Sequence, residues 1–206
     1  MKEVVKLMDY RPDIKIVDAT LRDGGLVNNF RFTDEFVKDL YQTNIKAGVD
    51  VMEFGYKADK EMFDVKDFGK WKFCDDEDIR AVVGDNNTDL KIAVMADVGR
   101  CNYKQDIKPR AESPVDVIRV ATYINQIPAA VDVIEDAVAK GYEVTCNIMA
   151  ISNAQEADIR VALDLLGKSP VNVIYIVDSF GALFPEQIAR IAALYGEYAA
   201  KYGKKL

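Results

Sequence analysis

The chain has 206 residues, half of them apolar, with a formal net charge of −7 and a pI near 4.8. That length suits one large core, expected here as a single domain over 1–206, and the acidic balance argues against nucleic acid or an anionic membrane as partner. A small-molecule partner fits better. There is no apolar run of about 18 residues and no signal-type apolar stretch in Met1 to Arg11, so a cytoplasmic location is expected. Cys74, Cys101 and Cys146 are odd in number and widely spaced, which argues against a disulfide framework or a thiolate zinc site.

Short β-branched runs alternate with longer amphipathic stretches, the pattern of a parallel sheet with crossover helices. Ile14 to Asp18 reads as the first strand. Thr33 to Ala47 reads as a helix capped by Thr33 and stopped by Gly48. Val49 to Phe54 is the second strand, and the acidic Asp75 to Asp78 cluster opens a short, solvated helix toward Val83. Lys91 to Ala96 is the third strand. The stretch from Gly99 to Pro114 lacks helical period, so that crossover should be irregular. Val115 to Val120 supplies the fourth strand, and the helix from Pro128 to Lys140 should turn Val131, Ile134 and Val138 inward. Glu143 to Met149 is the fifth strand. Ser152 and Gln155 have capping-box spacing before a helix through Leu166, with Ile159, Ala162, Leu163 and Leu166 inward. Val171 to Val177 is the sixth strand, and a last helix near Pro185 carries Ile188, Ile191, Ala192 and Tyr195 at helical spacing.

Six strand-helix units amount to roughly three quarters of a TIM-type (β/α)8 barrel, which takes about 250 residues. An open doubly wound sheet fits the count too, but the Gly-x-Gly-x-x-Gly turn is absent after the first strand. The expectation is an α/β barrel truncated after about six units, whose uncovered edges at the first and sixth strands should drive homo-oligomerisation.

Functional groups of such folds gather at the strand ends. Those ends are Asp18 to Gly25, Glu53 to Tyr56, Asp97, Arg119 to Thr122, Asn147 to Met149 and Asp178 to Gly181. A ring of structural salt bridges, such as Arg119 with Glu53, is the alternative to a site. Lys57 could form a Schiff base but is expected in a solvated loop. Ser179 has no histidine to activate it. Met52, Phe54, Met95 and Tyr175 are expected in the core.

These strand ends, in this order, resemble the HMG-CoA lyase-like metal-dependent aldolase family, which includes isopropylmalate and homocitrate synthases and 4-hydroxy-2-oxovalerate aldolase. The texture is most similar to candidate aldolases whose first strand continues Arg-Asp-Gly-Gly. The resemblance implies a carbon–carbon lyase acting on a 2-oxo acid or acyl substrate through a metal-stabilised enolate. Asp23 would hold a divalent cation (Mg, Mn or Zn) and Arg22 would stabilise the enolate oxygen. Glu53, Arg119, Asn147, Asp178 and Ser179 would bind substrate. The two glycines after Asp23 would permit a close backbone approach.

Two departures stand out. The family completes its metal site with His-x-His on a seventh strand, and this chain has no histidine. Leu26 stands where the pyruvate aldolases carry a histidine, leaving Tyr56 as a proton-transfer candidate. Asp97 and Asp178 could serve as replacement oxygen ligands. A catalytically inactive barrel remnant, or a small-molecule-binding module, is the alternative function.

Overall fold

The computed structural model describes residues 12–206. The reading of Met1 to Arg11 lies outside them. Six strands form one parallel sheet in sequential order: β1 (Val17–Asp18), β2 (Val51–Tyr56), β3 (Lys91–Asp97), β4 (Val117–Tyr123), β5 (Glu143–Met149) and β6 (Val173–Tyr175). Sequential order with a helical crossover at each step is barrel winding; a doubly wound sheet would reverse direction at a switch point. The fold is therefore an arc of a TIM-type barrel. Beyond the last helix the chain returns beside β6, where Lys205 makes a parallel bridge to Val173 and its carbonyl accepts Ile174 N–H at 3.0 Å. The outer edge of β6 is thus partly covered, contrary to the expectation of a bare edge.

The helices are α1 (Thr20–Asn28), α2 (Asp34–Ala47), α3 (Asp76–Val83), the single turn α4 (Tyr103–Asp106), α5 (Ile127–Ala139), α6 (Glu156–Lys168) and α7 (Pro185–Tyr202). Thr33 caps α2 by accepting Phe36 N–H, and Gly48 ends it in the left-handed conformation, both as the sequence requires. The irregular third crossover is also as expected, with only α4 and a 3-10 turn at Arg110–Glu112.

Other local expectations are corrected. Asp18 to Gly25 does not run on as a loop: Thr20 onward is helix α1, and β1 shrinks to two residues. The cause is local, since Asp18 Oδ1 accepts Thr20 N–H at 2.8 Å and turns the chain at once into helix. Helix α6 starts at Gln155 without a side-chain cap, because Ser152 is drawn into a separate 3-10 turn. In α5, Ile134 is buried with Ala130, Val133 and Ala137 while Val131 and Val138 pack partly buried against the core, and in α7, Tyr195 is buried with Leu194 and Ala199 beside a partly buried Ile191; of the residues expected inward, Ile188 is exposed.

Strand alternation sorts the sheet into two chemistries. Met52, Phe54, Ile92, Val94, Ile118, Val120, Val144, Cys146, Ile148 and Ile174 join the helix-side core with Val37, Ile79, Ile134, Leu163 and Tyr195. The opposite parity carries Glu53, Asp97, Arg119, Thr145, Asn147 and Tyr175. A register shift between Glu53 and Tyr56 puts both of these β2 residues against inward partners, Ala93 and Met95. One extra residue in β2 re-aims the strand end toward the mouth.

Candidate active site on the concave face

Arg22, from the first turn of α1, and Arg119, from the middle of β4, both bind the Oε2 atom of Glu53, Arg22 through Nε at 2.9 Å and Arg119 through Nη1. Glu53 is fully buried and Arg119 nearly so. The Arg119 guanidinium also lies 4.8 Å from the centre of the Tyr175 ring. Two guanidiniums on one carboxylate leave the inner cluster with a surplus positive charge. Asp23 offsets it from the rim, bonded to Arg22 Nη1 while its own side chain stays mostly exposed.

The structural ring of salt bridges thus exists, but it is not closed. Among the described residues Glu53 Oε1, Arg119 Nε, Thr145 Oγ1 and Asn147 Oδ1 are buried without hydrogen-bond partners. Arg119 on β4 is the register partner of Thr145 on β5, Asn147 follows two residues along β5, and Glu53 reaches the group from β2 through its ion pair with Arg119. Four such atoms close together leave this face with hydrogen-bonding capacity for water or a ligand.

Charges around the cluster are tuned by burial and by each other. Burial works against the charge on Arg22, but Glu53, with Tyr56 and Asp23, more than offsets it, so its pKa lies above the ordinary value. Burial raises the Tyr56 phenol, with the neighbouring Arg22 pulling the other way. Burial likewise raises Asp97 above the usual carboxylate range, opposed by Arg100 and Lys72. Cys101 and the fully buried Cys146 are pushed up to about 12 by burial and are inert thiols.

No protein-family model matches the chain. It is 27% identical over 178 residues to the 4-hydroxy-2-oxovalerate aldolase of Pelotomaculum thermopropionicum, covering 86% of this chain and 51% of that protein. Against 4-hydroxy-2-oxovalerate aldolase 6 of Rhodococcus jostii the identity is 27% over 175 residues, covering 85% of this chain and 49% of that protein. The chain spans about half the length of these curated relatives. Among solved structures, the N-terminal domain of a candidate aldolase from Bacteroides vulgatus superposes with a TM-score of 0.69 at 25% identity, over 90% of this chain and 61% of that one. In sequence the chain is similar to the 4-hydroxy-2-oxovalerate aldolases. The HMG-CoA lyase of Brucella melitensis shares the fold, with a TM-score of 0.63 at 15% identity over 90% of this chain and 68% of that one.

The strand-end residues fall into two groups. Arg22, Asp23, Glu53 and Arg119 form one bonded network, with Asn147 beside it on β5. Asp178 serves its own loop, and Ser179 ties that loop to the one after β5. The Asp178 carboxylate accepts Leu183 N–H at 2.9 Å, which with neighbouring backbone donors holds it below the carboxylate range. Ser179 Oγ accepts Ala150 N–H at 3.0 Å. Leu26 is exposed.

The donor set does not suit a divalent cation. Among the described residues no group of three His, Cys, Asp or Glu side chains is placed to hold a metal. Asp23 is bound to Arg22, and Glu53 is held between two guanidiniums.

The tertiary structure corrects four further expectations. Gly25 makes room not for a ligand's approach but for Phe30, whose ring a Cβ there would overlap. Tyr175 is not core; it stacks beneath Arg119. Lys57 is not in a solvated loop. It is buried, with Nζ 2.9 Å from Asp76 Oδ1 and 2.8 Å from Cys74 O, so Asp76 leaves the supposedly solvated acidic helix start. The group that sequence reasoning missed is Lys72, nearly buried at the mouth among Phe30, Tyr56, Phe63 and Phe68. The density of aromatic residues from Phe63 to Phe73 was the available signal.

Proposed function

We propose that this concave mouth performs aldol-type carbon–carbon cleavage or condensation on a 2-oxo acid or related acyl substrate. The observation that carries the reading is the open Arg22–Glu53–Arg119 cluster, two guanidiniums sharing one buried carboxylate and bordered by polar atoms without partners among the described residues. Such a site suits a carboxylate and the enolate that forms when the bond next to a 2-oxo group breaks. In the cleavage direction a base removes the proton of the β-hydroxyl. The carbon–carbon bond then breaks, its electron pair passes to the 2-oxo oxygen as the enolate, and the aldehyde leaves. Arg22 stabilises that oxygen, Arg119 holds the carboxylate, and Asp97 is the described group suited to take the proton. The Mg, Mn or Zn ion implied by the family resemblance would have Asp23 alone among the described residues, so no step is assigned to it.

The test is pyruvate release from 4-hydroxy-2-oxovalerate, read by a coupled dehydrogenase, with Mg, Mn or Zn added and with chelator. Cleavage that falls roughly 100- to 1,000-fold in Arg22→Met is expected. No cleavage under any of these conditions overturns the reading. A ligand-binding module without catalysis is the second reading, favoured by the lack of any histidine; it predicts saturable pyruvate binding without turnover. A homo-oligomer that covers the outer edge of β1 is part of the proposal, and a clean monomer by light scattering at micromolar concentration contradicts it.

A further inference from the structure

The corner of the mouth between the ends of β2 and β3 brings together Tyr56, Asp97 and Arg22. The register shift in β2 sets Tyr56 opposite Met95, and Asp97 follows two residues later on the same face of β3. Arg22 reaches the corner from α1 through its bond to Glu53 Oε2. The Tyr56 ring is held by Phe30, perpendicular to it with centres 5.6 Å apart, and by Lys72, whose Nζ stands 4.8 Å from its centre. Its phenol interacts with the Arg22 guanidinium, and Glu53 and Asp97 also act on it electrostatically. Glu53 is fully buried, whereas Tyr56, Asp97 and Arg22 are all partly exposed, so a substrate at Arg22 meets the phenol from the mouth. The enolate left by cleavage must gain a proton at C3 to become pyruvate, and Arg22, Arg119 and Asp97 are occupied with its oxygen, its carboxylate and the hydroxyl proton.

We propose that Tyr56 is the general acid that protonates C3 of the enolate. The inference rests on the proposed function for the enolate itself. The oxygen's electron pair re-forms the 2-oxo C=O, and the C2=C3 π pair takes the phenol proton to make the new C3–H bond, leaving a phenolate. Arg22 beside the phenol and Lys72 at the ring stabilise that anion while it lasts. Asp97, which carries the proton from the substrate hydroxyl, returns it to Tyr56 from the neighbouring strand, so the cycle closes with no proton gained or lost. Burial holds the phenol above its ordinary range, with Arg22 opposing, and so keeps it protonated at neutral pH before the step. In reverse, Tyr56 passes its proton to Asp97 and takes one from the methyl group of pyruvate, an exchange that needs no aldehyde.

The experiment follows deuterium entering the methyl group of pyruvate in D2O by proton NMR, in the parent chain and Tyr56→Phe, with Mg, Mn or Zn added and with chelator. Pyruvate binding to both is measured by calorimetry. Exchange is expected in the parent and should fall roughly 100-fold or more in Tyr56→Phe, with pyruvate affinity retained. A 3-fluorotyrosine at position 56, whose phenol is more acidic in the same shape, should move the pH profile of exchange to lower pH. No exchange in the parent, exchange undiminished in Tyr56→Phe, or a profile unmoved by the fluorine overturns the proposal. Cleavage of 4-hydroxy-2-oxovalerate that continues undiminished in Tyr56→Phe overturns the acid while leaving the proposed function intact. Exchange that depends on Tyr56 in a protein that cleaves no 4-hydroxy-2-oxo acid supports the acid and removes the proposed function.

Discussion

Lys57 and Lys72 are two buried lysines just beyond the end of β2, and they are buried in opposite ways. Lys57 has both a counter-ion and a backbone acceptor, Asp76 and Cys74 O. Lys72 has four rings and no hydrogen-bond partner among the described residues. A charge that is fully paired is held in place and has little left to offer a substrate. One held only by ring faces keeps its lone pair available whenever it loses its proton. The comparison separates a lysine that ties α3 to the sheet through an ion pair from one held by ring faces alone.

The largest effect expected is at the paired lysine. Lys57→Met leaves the buried Asp76 carboxylate with only the more distant Lys108, 3.8 Å away, at a cost of about 3 kcal/mol in urea unfolding, and Lys57→Met with Asp76→Leu recovers most of it. A double variant no more stable than the single would mean that the pair does not act as a unit. Gly25→Ala should cost about 1–3 kcal/mol, since the new methyl displaces Phe30 from its seat. The same variant displaces one of the rings around Lys72, so a stability loss near the upper end of that range would show that the Phe30 ring is part of what holds Lys72. Lys72→Met should change stability by less than about 1.5 kcal/mol, because a thioether retains contact with the rings while no ion pair is broken. A loss as large as that of Lys57→Met would dissolve the comparison.

The smallest effect concerns Asp97, the carboxylate facing Lys72. Its folded pKa is raised by burial above the ordinary 3.8. The folded state therefore keeps a proton that the unfolded chain has already lost, and stability falls as pH rises through that interval. Above it the cost persists. Asp97→Asn should match the parent at acid pH and exceed its stability at neutral pH, measured by urea unfolding across a pH series. A constant difference at all pH values would show that Asp97 does not titrate this way.

Much of the fold was legible because the signals were local. The β5 boundaries follow from the β-branched run Glu143 to Met149, and α2 from Thr33 and Gly48, since a cap or a stop needs only its neighbours. The network of Arg22, Asp23, Glu53 and Arg119 was also legible as a set of charged strand ends. Two kinds of feature were not. Helix α1 was hidden because Asp18 caps it from within what reads as a strand. The burial of Lys57 and Lys72 was hidden because each depends on partners brought together from separate elements.

By itself the sequence determined that strands and helices alternate, that the helix-facing parity of each strand is apolar, and that charge collects at the strand ends. Those are properties of spacing along one chain, fixed by backbone period and burial of apolar surface. Only the tertiary structure decided which charges are satisfied. Partnering depends on register between strands and on close approaches such as Trp71 over Gly55. It pairs Lys57, cages Lys72, and leaves Glu53, Arg119, Thr145 and Asn147 with unmatched atoms on the concave face.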